Sequence, residues 1–294
     1  MSTIIPAPVT ARRMREADLE PWIRSGAWRD LPGSSAPALP VLATEFLQLA
    51  ADPDVAQTRV ATVVCKDPVL ATRVLGFANS AAVAAAVTVT TLQEAIMRLG
   101  TRTVCNIALA DQVAGSFQDR RIYGPLGQSL RDHSLGTAYV AYLLSEVAGM
   151  PSDEAFLCGL MHDIGKLYVL KLVHDVGLPS PSGTPSARIL QLVADTHAEA
   201  GGYLLDRWGL PEALQDPVVW HHEPWRAARQ PRVTSLTYAA NRLAHRYGFG
   251  APRDEAYDPL ADSELQTLGV DEAALAHIDA RAPGLFDVAR RGMH

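Results

Sequence analysis

The segment from Leu157 to Leu167, Leu-Cys-Gly-Leu-Met-His-Asp-Ile-Gly-Lys-Leu, sets a histidine beside an aspartate in an otherwise apolar run. Phe156, Leu157, Leu160, Met161, Ile164, Leu167 and Tyr168 recur at helical spacing, which predicts one buried helix with His162 and Asp163 at the edge of its stripe. A carboxylate or imidazole buried without a partner loses its hydration and gains nothing in return. The chain is therefore constrained to a fold that brings other polar groups onto this step.

The rest of the composition narrows the class. With 294 residues, 48% of them hydrophobic, the chain can build one large domain or two smaller ones around a real core. A formal net charge of -6 gives no basic footprint, so a strong nucleic-acid signature is absent. The sequence has no apolar run of membrane-spanning length, and Met1 to Thr10 does not read as a signal peptide, so a cytoplasmic location is expected. Cys65, Cys105 and Cys158 form no CxxC pair and are expected to be reduced, buried thiols.

Residues 1–35 read as an N-terminal arm, with Arg12, Arg13 and Arg15 ahead of Trp22 and Trp28, the tryptophans serving as anchors to the main body. Helices are predicted from Val41, from Val55 to Cys65, and from Asp67-Pro68, where Asp67 caps and Pro68 takes the first helical position. Ala81 to Thr91 reads as a loop, and Thr91 with Glu94 forms a capping box for the next helix. Further helices are expected around Val104 to Val113 and from Ser129 to Val147, separated by a connection over Gly115 to Gly127. Thr196-His197-Ala198-Glu199 reads as a second capping box, placing His197 in the first turn of a helix that stops at Gly209. A disturbed helix after Pro211 delivers His221-His222, and Val233 to Tyr247 makes a last core helix carrying Asn241. Residues 248–294 read as an acidic, turn-rich tail with a short helix over Ala273 to Ile278. No strand is evident, so the fold class is all-α.

His133, His162, Asp163, His197, His221, His222 and Asn241 thus lie on five predicted helices. In order and residue type they resemble the HD superfamily of metal-dependent phosphohydrolases. The chain more closely resembles the HDOD domain, an all-helical signalling relative of the HD and HD-GYP families. The residues that carry this are Leu39-Pro40, Asp52-Pro53-Asp54, Lys66-Asp67-Pro68-Val69-Leu70, Leu75-Gly76-Phe77-Ala78-Asn79-Ser80, Leu92-Gln93-Glu94-Ala95-Ile96 with Leu99-Gly100, His162-Asp163-Ile164-Gly165-Lys166, His197-Ala198-Glu199 and Trp208-Gly209-Leu210-Pro211. The resemblance implies an HDOD domain over 36–247, with an N-terminal helical subdomain over 36–128 and an HD-like helical bundle over 129–247.

Carried over position by position, the resemblance makes His133, His162, Asp163, His197, His221 and His222 metal ligands, with Asp163 bridging, and puts Asn241 where the enzymes have a closing aspartate. It implies one or two divalent ions, iron, manganese, zinc or nickel, and gives Lys166 the place of a lysine that assists phosphoester cleavage. Two departures weigh against an enzyme. Asn241 lacks the charge of an aspartate, and Trp225-Arg226-Ala227-Ala228 follows Pro224 where HD-GYP proteins carry Gly-Tyr-Pro. The expected function is regulation or signal transduction by binding a partner protein or small ligand, with metal-dependent hydrolysis of a nucleotide or cyclic nucleotide as the alternative. Read bottom-up, the seven residues can equally form a metal-free buried polar network, and Lys166 a helix-end cation. His174, His245, His277 and His294 read as packing or surface residues.

Overall fold

A computed structural model describes residues 14–30, 36–52, 54–79, 87–115, 119–178 and 185–291, and among these every regular element is helical. The helices are α1 (Glu16–Arg24), α2 (Val41–Ala51), α3 (Gln57–Val64), α4 (Pro68–Ala78), α5 (Leu92–Leu99), α6 (Thr101–Gly115), α7 (Arg120–Tyr123), α8 (Leu126–Ala148), α9 (Ser152–Met161), α10 (Ile164–Asp175), α11 (Ala187–Trp208), α12 (Gln215–Trp220), α13 (Pro231–Tyr247), α14 (Ser263–Thr267) and α15 (Glu272–Arg291). The long α8 is the spine: α9, α13 and α15 pack on it, and α10 lies against α11. In the N-terminal half α2 packs on α6, and α6 meets α9, where Asn106 Nδ2 donates to the Asp153 carbonyl at 2.6 Å. The two halves share one continuous core.

Local chemistry sets several boundaries. Asp67 accepts from the Val69 and Leu70 amides with Pro68 at the first helical position. Thr91 and Glu94 exchange both bonds of a capping box at the start of α5. Thr91→Ala is expected to cost about 1 kcal/mol of unfolding free energy, measured as a shift in urea midpoint at unchanged slope.

Other boundaries differ from the sequence reading. The stripe around His162-Asp163 is two helices, α9 and α10, with the His-Asp pair at the turn between them. Thr196 is no cap: α11 starts ten residues earlier, its first turn capped by Ser186, and Thr196 Oγ1 donates to the Leu192 carbonyl inside the helix. The connection before α8 contains the short α7, and α8 itself begins at Leu126. The tail carries the 20-residue α15, whose buried Ile278, Ala282, Leu285 and Phe286 pack inward while Pro283 and Gly284 face solvent. Packing of that face overrides the local penalty of Pro283. Cys65 is exposed, whereas Cys105 and Cys158 are buried.

The arm is anchored by its tryptophans. Trp28 makes edge contacts with Tyr168 and Tyr203 at centroid distances of 5.4 and 5.0 Å, and its Nε1 donates to the Ile23 carbonyl. Arg12, Arg13, His294 and most of the Ala81 to Thr91 loop lie outside the described residues.

Candidate metal centre

Five elements deliver the seven polar side chains to one place: α8 brings His133, the α9–α10 turn His162 and Asp163, α11 His197, the end of α12 His221 and His222, and α13 Asn241. Two triads form, His133 with His162 and Asp163, and His197 with His221 and His222, each with its ligand atoms within 4.8 Å of one another. All are buried except His222, which reaches the surface.

The Asp163 carboxylate lies between the triads. Its Oδ1 is 3.2 Å from His197 Nε2 and 3.7 Å from His221 Nε2. Its Oδ2 is 3.3 Å from His162 Nε2, 3.6 Å from His133 Nε2 and 2.5 Å from Lys166 Nζ. Lys166, one turn into α10, is thus the cation that meets Asp163 directly.

Backbone carbonyls fix how the rings present themselves. His162 Nδ1 is 2.8 Å from the Gly159 carbonyl and His221 Nδ1 2.8 Å from that of Val218. His197 Nδ1 is 2.7 Å from the Ala194 carbonyl, and His133 Nδ1 3.2 Å from that of Phe249. In His162, His197 and His221 Nδ1 faces a backbone carbonyl and donates, so Nε2 turns a lone pair inward, the orientation that second-shell carbonyls impose on metal-ligating histidines. The neutral His133 ring instead sits between two acceptors, the Phe249 carbonyl and Asn241 Oδ1, and donates to one of them. His197 Nε2 then stands 3.2 Å from both His221 Nε2 and His222 Nε2. Lone pairs that close repel unless a cation sits among them.

The electrostatics favour that cation. Burial pushes the His133 ring down to about 3, and burial with neighbouring His162 and His222 pushes His221 well below its usual range. His222 falls to about 4 through desolvation and the nearby His197. Burial alone would raise Asp163, but His162 and Lys166 outweigh it and hold its carboxyl well below the usual carboxylate range. At neutral pH the set therefore offers one carboxylate together with the neutral rings of His133, His221 and His222. Among the described residues, His162 Nε2 and Asp163 Oδ1 are buried with no hydrogen-bond partner. Lone pairs facing each other at 3.2 Å match the edge of a coordination shell built on about 2.1 Å metal–nitrogen bonds. The residues fit a divalent metal.

Asn241 Oδ1 lies 3.0 Å from His133 Nε2, so α13 closes the first triad with a neutral amide. His245, one turn farther along α13, packs its ring at a tilt with its centroid 4.5 Å from that of His133, and its proton affinity is lowered by burial and by Lys166. His174 and His277 are exposed, away from the centre.

The packing roles of two glycines escaped the sequence reading. Gly165 lets α10 touch α11, because a Cβ there would overlap the His197 carbonyl. Gly250, at φ +67°, fits where a Cβ would strike the Ser129 carbonyl and the His133 backbone nitrogen, and so seats the Phe249 carbonyl on His133. The Gly248-Phe249-Gly250 run is the only sequence signal for the latter.

The HDOD domain model matches residues 36–224. The chain belongs to the HDOD domain family. It is 26% identical over 216 residues to an uncharacterised protein of Treponema pallidum, a match covering 69% of this chain and 41% of that protein. It is 28% identical over 170 residues to Ribonuclease Y of Aquifex aeolicus, covering 56% of this chain and 26% of that one. The chain thus spans less than half the length of these curated relatives. A crystal structure of an HDOD domain protein from Geobacter sulfurreducens superposes with a TM-score of 0.69 at 23% identity, covering 94% of this chain and 97% of that chain. That likeness shows the all-helical fold. No helix among the described residues is long and apolar enough to cross a membrane.

Proposed function

We propose that this HDOD chain is a regulatory module that acts by binding a partner protein or small ligand, and that His133, His162, Asp163, His197, His221, His222 and Asn241 form a centre able to hold a divalent metal. The observation that carries the metal reading is the Asp163 carboxylate set between two groups of inward lone pairs, with Asp163 Oδ1 and His162 Nε2 unpartnered. His197, His221 and His222 bind, and their backbone carbonyl partners hold the first two rings in register. Iron, manganese, zinc and nickel all suit imidazole with carboxylate. When bound, such an ion polarises a phosphoryl oxygen and lowers the pKa of water.

Two features support regulation over turnover. Asn241 contributes no charge, and the Lys166 ammonium occupies Asp163 Oδ2, an oxygen that a hydrolytic centre needs for its metals. The second reading is a phosphohydrolase or phosphodiesterase acting on a nucleotide or cyclic nucleotide, with Lys166 assisting cleavage. It is favoured by the exposed His222, which gives the centre an opening to solvent, and by the similarity to Ribonuclease Y.

The test is metal analysis of the full chain purified without chelator or histidine tag, followed by assays on linear and cyclic nucleotides with added manganese or ferrous iron. Bound metal with turnover no faster than in His162→Ala is the expected result. Hydrolysis abolished by Asp163→Ala would replace the regulatory reading with the enzymatic one.

A further inference from the structure

We infer that this centre, on the metal-binding reading above, is mononuclear: one ion belongs among His197, His221, His222 and Asp163 Oδ1, and Lys166 with Asn241 takes the place of a second. The two sides of Asp163 are chemically unequal. On the Oδ1 side, His197 Nε2 lies 3.2 Å from His221 Nε2, from His222 Nε2 and from the carboxylate oxygen, and among the described residues no lysine or arginine touches that oxygen. Three imidazoles and one carboxylate oxygen make a complete ligand set for a single divalent ion. The exposed His222 gives the ion a route from solvent.

The Oδ2 side already holds a positive charge. Lys166 Nζ lies 2.5 Å from that oxygen, closer than His162 at 3.3 Å or His133 at 3.6 Å. An ion bound by His133, His162 and Oδ2 must displace the ammonium or sit against it. The fourth group on this side is the Asn241 amide at 3.0 Å from His133 Nε2, which brings no negative charge. Asp163 is the sole carboxylate in the two triads, so a second dication here would meet one shared negative charge already paired with Lys166. Lys166 and Asn241 therefore set the number of ions.

The experiment uses the full-length chain, stripped of metal and titrated with manganese(II) chloride, with ions counted by elemental analysis and spectra taken by electron paramagnetic resonance. The wild-type chain binds one ion and gives the six-line spectrum of an isolated manganese. His222→Gln, at the exposed ligand where the fold is least at risk, weakens binding at least tenfold. The double variant Lys166→Gln, Asn241→Asp supplies a second carboxylate and frees Oδ2, binding two ions with a spin-coupled spectrum. Two ions in the wild type, or wild-type affinity in His222→Gln, would overturn the assignment while leaving the metal reading intact. A folded double variant that stays at one ion would also overturn it. No ion in the wild type removes the metal reading itself.

Discussion

Lowering the pH from 7 to 5 is expected to destabilise the metal-free chain, by about 2 kcal/mol from His133 alone, with His221 acting in the same direction. Both rings are almost fully buried, and both have proton affinities driven far below the ordinary histidine value, His133 to about 3. In the unfolded chain each takes up a proton near its ordinary value of 6.5. Between that value and the folded one the unfolded state binds more protons. Stability therefore rises with pH, is fully present above 6.5, and is lost as pH falls toward 3. Asp163 stays ionised across this window, so it does not offset the loss. His222 is shifted the same way, but its exposure to solvent makes its share small. Since a domain of this kind is stable by only about 5 to 15 kcal/mol, the effect is a large fraction of the total. Urea unfolding followed by circular dichroism at pH 7, 6 and 5, with chelator present, measures it. A midpoint independent of pH would mean that the rings take up protons equally well in the folded and unfolded chains.

The same burial explains which parts of this centre were legible in sequence. Residue type and order, matched to the HD pattern, singled out His133, His162, Asp163, His197, His221, His222 and Asn241, and the structure brings all seven to one place. Helix starts with a local cause were legible too, since Asp67-Pro68 and Thr91 with Glu94 act within one turn. The break between α9 and α10 was not. An apolar stripe of helical period continues through a single-turn hinge, and nothing in Met161-His162-Asp163-Ile164 is a helix breaker. The hinge matters, because it places His162 Nδ1 on the Gly159 carbonyl while Asp163 faces the second triad. The start of α11 was misread for a related reason. Thr196 and Glu199 have capping-box spacing, but Ser186 opens the helix and Thr196 spends its hydroxyl on Leu192. The span of α15 and the seating of Phe249 beneath His133 depend on contacts with α8, which no local window contains.

Gly165→Ala is expected to cost about 3 kcal/mol or more, as an overpacking substitution that falls on backbone. The added methyl would overlap the carbonyl of His197 and lie 2.5 Å from the Gly201 nitrogen. Neither can rotate away, because both belong to the main chain of α11. The relief available is to slide α10 from α11, which separates Asp163 at the head of one helix from His197 within the other. That pair is 3.2 Å apart, so even a small displacement spoils the ligand geometry on the Oδ1 side. The substitution should therefore lower the urea midpoint and, in the folded fraction, weaken manganese binding. Lys166→Ala provides the contrast, since it removes a partly exposed side chain and adds no atom between α10 and α11. A Gly165→Ala chain with wild-type stability and metal affinity would show that the α10–α11 contact is softer than its geometry implies. It would also remove the reason for a glycine beside the His-Asp step.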